Sequence, residues 1–172
     1  ELPEDSNRVS VPIPESIEGK LDASKQALRL GNLNPALTLL NAAYRTFEEN
    51  PPLDASGMIN VSLKAELHRL RGEAYIRRGA VGDTDEALLE FDQAFQALPD
   101  DRRSVRAIAR QVPFPPAAKY WQQLHQWLPD DPEALLALAD WEIENSNLHA
   151  AESYLNRILT TSDNIEAYER RA

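Results

Sequence analysis

One spacing of small and bulky apolar residues recurs four times along this chain. In each case an alanine is followed four positions later by a bulky apolar residue, and seven positions later by a small or apolar one. The sets are Ala36, Leu40 and Ala43; Ala87, Phe91 and Ala94; Ala117, Trp121 and Leu124; and Ala151, Leu155 and Ile158. Offsets of four and seven place three side chains on one face of an α-helix. The recurrence predicts a stacked array of similar helical units rather than a compact enzyme.

Glycines, prolines and capping residues divide the chain into helices. Pro99 and Pro129 each lie twelve residues after the first alanine of their set, where a helix must end. Asn34 is predicted to cap one helix and Asp83 another. The predicted helices span residues 17–30, 34–49, 58–79, 83–98, 102–111, 116–128, 131–145 and 149–160. Because no alternating strand pattern is present, the fold class is predicted to be all-α.

Composition excludes several classes of function. The 172 residues carry a net charge of −10, which repels nucleic-acid phosphates and anionic membrane surfaces. No segment approaches the roughly 20 apolar residues that cross a bilayer, so no membrane insertion is expected. The absence of cysteine excludes disulfides and thiolate metal sites. We expect a soluble protein and slightly favour a bacterial protein of the cytoplasm or periplasm. Composition alone does not determine the compartment.

Residue types that carry catalysis or bind metals show no functional spacing. His68, His125 and His149 lie in different units without a zinc-binding pattern, and all three are predicted to be surface histidines. No glycine-rich phosphate loop and no Gly-x-Ser-x-Gly elbow is present. We therefore predict no catalytic residue, no metal site and no cofactor, and we do not expect an enzyme.

The aromatic residues are predicted to be structural. Trp121 belongs to one of the apolar sets, so it should lie in the core, whereas Trp127 should be partly exposed. The prolines around Phe114 predict a break between two helices. Phe114 itself is expected to pack onto the neighbouring unit.

The second unit carries most of the signature of a known repeat. The signature residues are Gly72, Tyr75, Gly79, Ala87, Phe91, Ala94 and Pro99. In this pattern the chain resembles the tetratricopeptide repeat family, and Ala117 and Ala151 are 34 residues apart, the length of one such repeat. The pattern departs from the family at His68 and Arg71, where large apolar side chains are usual and where Leu67 and Leu70 could substitute.

This resemblance implies a right-handed α-solenoid of about four helix-turn-helix units. We expect an acidic, proline-containing tail or linker at residues 1–15 and the repeat domain at residues 16–163. Residues 164–172 would begin a further repeat or form a capping helix. A weaker resemblance, to the half-a-TPR repeats of RNA-processing scaffolds, rests on Trp141 and Glu142.

In the tetratricopeptide repeat family, the first helix of each unit lines a concave peptide-binding groove. The resemblance implies these groove residues: Glu66, Arg69, Glu73, Arg77, Glu133, Leu136, Asp140 and Glu144. Because Glu133, Asp140 and Glu144 share one helical face, we expect a groove that is acidic toward the C-terminal unit and binds a basic or amphipathic segment of a protein partner. The competing interpretation is a solvated helix face.

The predicted function is a non-catalytic scaffold or adaptor for protein–protein interaction, such as the repeat module of an assembly factor. One alternative is a module that stacks end to end, which predicts a homo-oligomer. Another is an RNA-processing scaffold of the half-a-TPR type. No direct contact with nucleic acid is expected.

Overall fold

Eight α-helices make up the regular structure of residues 14–161, the part of the chain described by the computed structural model. They are α1 (Ile17–Arg29), α2 (Leu33–Glu49), α3 (Val61–Arg78), α4 (Asp83–Ala97), α5 (Arg102–Gln111), α6 (Ala118–Trp127), α7 (Pro132–Glu144) and α8 (Leu148–Thr161). The all-α prediction is confirmed. The predictions for residues 1–13 and for the segment 164–172 lie outside the described residues.

The chain divides into two compact units between Asn60 and Val61. In the first unit α1 packs against α2. In the second unit the helices pair in sequence, α3 with α4, α5 with α6 and α7 with α8. Successive pairs there also touch, because α5 contacts both α3 and α4, and α6 contacts α7. The sequential pairing agrees with the prediction of about four helix-turn-helix units.

The recurring alanines lie in the helix interfaces, as their spacing predicted. Ala36, Ala87 and Ala117 are completely buried. The bulky residue four positions later is buried in every set, and it fills the space that the small residue leaves beside it. In the second set the Phe91 ring of α4 lies directly over Gly72 of α3.

The connection between α2 and α3 is longer than predicted, because α3 begins at Val61 rather than at Met58. The Asp54 carboxylate accepts hydrogen bonds from the backbone N–H of Ser56 at 2.8 Å and of Met58 at 3.1 Å. Leu53 and Ile59 form an isolated antiparallel bridge around this turn. These bonds hold the residues before Asn60 in a turn and delay the start of the helix.

Two predicted helix caps are wrong. Helix α2 begins at Leu33, so Asn34 lies inside its first turn. Asp83 is the first residue of α4 and its side chain is buried, where it accepts hydrogen bonds from Arg78 Nη2 at 2.6 Å and Nε at 2.8 Å. Arg78 thereby holds the pKa of the Asp83 carboxyl below its ordinary value. Because a two-point pair with Arg is stronger than a single capping bond, the carboxylate closes the α3–α4 turn instead.

A buried charged network crosses the α3–α4 pair. His68 Nδ1 lies 2.8 Å from Glu90 Oε2, and Arg71 Nη2 lies 2.9 Å from Glu90 Oε1. The prediction of a surface position is wrong for His68, which is 3% exposed. Leu67 and Leu70 are buried beside it. Polar groups at these positions are tolerated because the Glu90 carboxylate pairs with one nitrogen of each side chain.

Candidate functional site

The eight predicted groove residues all lie on α3 and α7. These are the first helices of their pairs. Helix α5, the first helix of the pair between them, contacts α3 and is joined to α7 by ion pairs. We therefore treat the surface formed by α3, α5 and α7 as the candidate site, and we call it the α3–α5–α7 surface.

On α3, the predicted residues pair with one another along the helix. The Glu73 carboxylate lies 3.5 Å from Arg69 Nη1 and 3.4 Å from Arg77 Nη1, each pair being one helical turn apart. All three side chains keep contact with solvent. Pairs of this kind contribute little to stability, about 0.3–0.5 kcal/mol each, but they fix the direction of the side chains. Among the four predicted residues of α3, the carboxylates of Glu66 and Glu73 therefore balance the guanidiniums of Arg69 and Arg77.

A pocket of about 310 Å³ opens between α3 and the start of α5. Its lining consists of Ser62, Ala65, Glu66, Arg69, Leu98, Asp101 and Ser104. On the α5 side, Asp101 caps the helix by accepting from the Arg103 backbone N–H at 3.1 Å and from the Ser104 hydroxyl. The volume lies at the lower end of the range for small-ligand pockets and suits one side chain of a partner.

This pocket brings together predicted and unpredicted residues. Glu66 and Arg69 of α3 were predicted to line the groove, whereas Asp101 and Ser104 of α5 were not. The available signal for α5 was the aspartate pair that follows Pro99, a typical helix cap. Only 30 residues separate Ala87 from Ala117, fewer than the 34 of one repeat, so spacing could not assign groove positions on α5.

On α7, the predicted acidic row begins with a residue that is already paired. Arg110 holds both oxygens of Glu133, with Nη2 to Oε2 at 2.7 Å. Arg106 contacts Asp131 and lies 3.8 Å from Glu133. The pairing with Glu133 raises the pKa of Arg110. Glu133 is therefore neutralised by Arg110 and adds little to the acidic row expected on this helix.

Leu136 differs from the other predicted α7 residues because it packs against the core of the last helix pair. That core consists of Leu135, Ala139, Leu155 and Ile158. Leu136 is half-buried there, as is Asp140, while Glu144 is exposed. Leu136 thus presents a limited apolar area beside the acidic residues.

The aromatic predictions are confirmed. Phe114, in the turn between α5 and α6, stacks on Trp141 of α7 with ring centroids 6.1 Å apart and an angle of 14° between the rings. Trp121 is buried and Trp127 is half-buried. Trp127 borders a second, open pocket of about 410 Å³ at the α6–α7 turn, with Leu128, Pro129, Asp130, Asp131 and Pro132.

Metal-ligating residue types are not assembled within the described part of the chain. Among residues 14–161, no group of three or more histidine, aspartate or glutamate side chains could hold a metal ion. Over the same residues, none of the helices combines the length and the apolar character needed to span a bilayer.

Comparisons with known proteins reveal similarity at the level of structure. No protein-family model matches the chain, and no curated protein matches it. A tetratricopeptide repeat protein from Parabacteroides merdae superposes with a TM-score of 0.68 at 22% identity, over 90% of this chain and 57% of that protein. The MamA RS-1 ArsTM double mutant gives a TM-score of 0.62 at 15% identity, over 85% of this chain and 75% of that one.

These likenesses confirm the predicted resemblance at the level of the fold, which is a divergent tetratricopeptide-repeat-like arrangement of helix pairs. The chain spans 57% of the length of the Parabacteroides merdae protein.

Proposed function

We propose that this chain is a non-catalytic interaction module that binds a peptide segment of a partner protein on the α3–α5–α7 surface. Tetratricopeptide-repeat-like folds generally act as protein-interaction scaffolds and are typically non-catalytic. The observation that carries the proposal is the pocket between α3 and α5, because it joins two predicted groove residues, Glu66 and Arg69, to polar groups of the next pair.

The lining of this pocket favours a basic side chain. Two carboxylates, of Glu66 and Asp101, outnumber the one guanidinium of Arg69, which also lies beside Glu73. Ala65 and Leu98 supply apolar contact for the methylene stem of a lysine or arginine. Complementary charge gives such a contact its specificity and speeds association more than it adds affinity.

The C-terminal end of α7 favours the same class of partner. Asp140 and Glu144 lie toward the negative end of the helix dipole, and the last turn of α7 contains no basic residue. A cation bound there would offset the repulsion between the acidic side chains and the terminal carbonyls. A segment with one basic residue near α3 and another near α7 would satisfy both ends of the surface.

Selection from a random peptide display library tests this proposal, because the selection requires no identified partner. The wild-type chain should enrich peptides with basic residues at fixed spacing, and Glu66→Lys should abolish that enrichment because it reverses a pocket charge. Asp22→Lys, on an exposed face of α1, makes the same change of charge outside the surface and should leave enrichment intact.

Circular dichroism must show that both variants keep the helical content of the wild type. The proposal fails if no peptide is enriched, or if Glu66→Lys and Asp22→Lys enrich the same peptides as the wild type.

A second candidate function, self-assembly, is favoured by the α2–α3 connection. Leu53 and Met58 are 63% and 68% exposed in a turn with its own internal hydrogen bonds. Contiguous exposed apolar residues mark interaction sites, and the bridge between Leu53 and Ile59 brings the two sides of this turn together. Light scattering over a concentration series tests this function. The mass should rise with concentration in the wild type and not in the double variant Leu53→Ser, Met58→Ser.

A further inference from the structure

Two contacts attach α8 to the helix pair before it. The rings of Tyr154 in α8 and His125 in α6 meet edge to face, with centroids 5.5 Å apart and an interplanar angle of 87°. Arg157 Nε lies 2.7 Å from Asp130 Oδ1 in the α6–α7 turn. Since Tyr154 and Arg157 are three residues apart, both contacts come from one face of α8.

The hydrogen bonding of the His125 ring suits its neutral form, which has a single N–H to donate. It is half-buried and shares a hydrogen bond with the backbone of Pro129. Its Nδ1 is buried and has no hydrogen-bond partner within residues 14–161. A neutral imidazole carries one N–H, whereas the protonated ring carries two. Protonation would therefore bury an N–H donor that has no acceptor, which is costly.

Burial has the largest effect on the pKa of His125 and lowers it, and the Arg157 guanidinium of α8 lowers it further. Asp130 in the turn and the hydrogen bond with Pro129 raise it, each by less. Tyr154 faces the ring as a neutral phenol, because burial and Glu142 of α7 raise its pKa. Helix α5, which also packs against α6, contributes the apolar Val105 and Ile108 to their common core.

We propose that these contacts form an acid-sensitive clasp, in which protonation of His125 releases α8 from α6. The protonated ring would lie beside the Arg157 guanidinium and hold an unpaired donor. Withdrawal of α8 would relieve the charge repulsion from Arg157 and expose the unpaired donor to water. The same movement would break the Tyr154 ring contact and the Arg157–Asp130 ion pair. Helix α8 also packs on Leu135 and Ala139 of α7, so losing its contacts with α6 would leave it attached to the array on one side only.

The direction of the pH effect follows from linkage. A histidine whose pKa is lower in the folded than in the unfolded state favours folding in its neutral form. Its contribution is fully present above the unfolded pKa of about 6.5 and is lost as pH falls below that value. An effect between pH 5 and 7 is the one expected of a histidine, whose ordinary pKa is about 6.5.

Hydrogen–deuterium exchange of the full chain at pH 7.5 and 5.5, corrected for the intrinsic exchange rate, tests the clasp. Protection of α8 should fall severalfold at pH 5.5 in the wild type. His125→Gln cannot be protonated, so its α8 should be equally protected at both pH values. His149→Gln, at an exposed position of α8, removes a histidine outside the clasp and should keep the acid response.

The proposal is overturned if the wild type shows no acid response in α8, or if His125→Gln keeps it. A second measurement is independent of the stability of the variant. The imidazole proton resonances of the wild type can be followed by NMR during a pH titration. The midpoint of His125 should lie below the ordinary histidine value of about 6.5, and a midpoint at or above that value contradicts the clasp.

Discussion

Phe91 covers Gly72 so closely that a Cβ atom at residue 72 would lie 2.5 Å from Cε1 of the ring. Real Cβ contacts do not reach this distance, so any side chain at this position must displace either the ring or the helix. Phe91 is itself completely buried, and its ring has little room to move. The close approach of α3 to α4 thus depends on the absence of a side chain at residue 72.

We predict that Gly72→Ala destabilises the chain. Overpacking a core typically costs about 1–3 kcal/mol, and the higher helix propensity of alanine offsets up to about 1 kcal/mol. The free energy of unfolding from urea titration should fall by roughly 1–2 kcal/mol. In the Phe91→Leu background, where the ring is gone, the same substitution should cost less. An equal cost in both backgrounds would contradict the packing argument.

We predict that Glu90→Gln weakens the α3–α4 pair by removing the charge that pairs with His68 and Arg71. Hydrogen bonds to charged groups contribute about 1.5–3 kcal/mol, so the free energy of unfolding should decrease by a similar amount. Glu86→Gln, at an exposed position one turn earlier, should change it by less than about 0.5 kcal/mol. Comparable losses in the two variants would show that the buried network has no special role.

We predict that Arg110→Gln has opposite effects on folding and binding. The Arg110–Glu133 pair is substantially exposed, so its loss should reduce the free energy of unfolding by less than about 1 kcal/mol. The same change removes a cation from the α3–α5–α7 surface and exposes Glu133. Calorimetric titration with a basic peptide selected on this surface should therefore give tighter binding. Weaker binding by Arg110→Gln would place the peptide elsewhere.

We predict a loss of stability at acid pH from the Arg78–Asp83 pair. Because Arg78 lowers the folded pKa of Asp83, the contribution of this pair is present above the unfolded pKa, about 3.9, and is lost as pH falls below it. Between pH 5 and 3, the urea midpoint should fall more steeply for the wild type than for Asp83→Asn. Asp85→Asn, at an exposed position in the same turn, should follow the wild type.

Features that depend on residues close in sequence were predictable. Buried alanines at helix interfaces follow from a spacing of four and seven residues, and Gly31 and Gly79 ended helices where expected, each with a positive φ. The stacking of Phe114 on a neighbouring unit also followed from local pattern, because the surrounding prolines left it outside any helix.

Features that depend on distant residues were not predictable in the same way. His68 is buried because Glu90, 22 residues away on the next helix, accepts its hydrogen bond. Glu133 was expected to add to an acidic row, but Arg110 lies 23 residues earlier on another helix and neutralises it. Asp83 is a nearer case, because it has the local pattern of a helix cap but accepts from Arg78, five residues earlier, and from the backbone N–H of Ala80 instead.

The buried contact of Glu90 with His68 and Arg71 has a consequence for how the chain folds. Helices in a repeat array resemble one another, so a helix can dock in a shifted alignment or against the wrong neighbour. If α3 and α4 docked in a shifted alignment, a charged side chain such as Glu90 would be buried without its partner. These three residues therefore favour the native pairing of α3 with α4 over similar incorrect pairings.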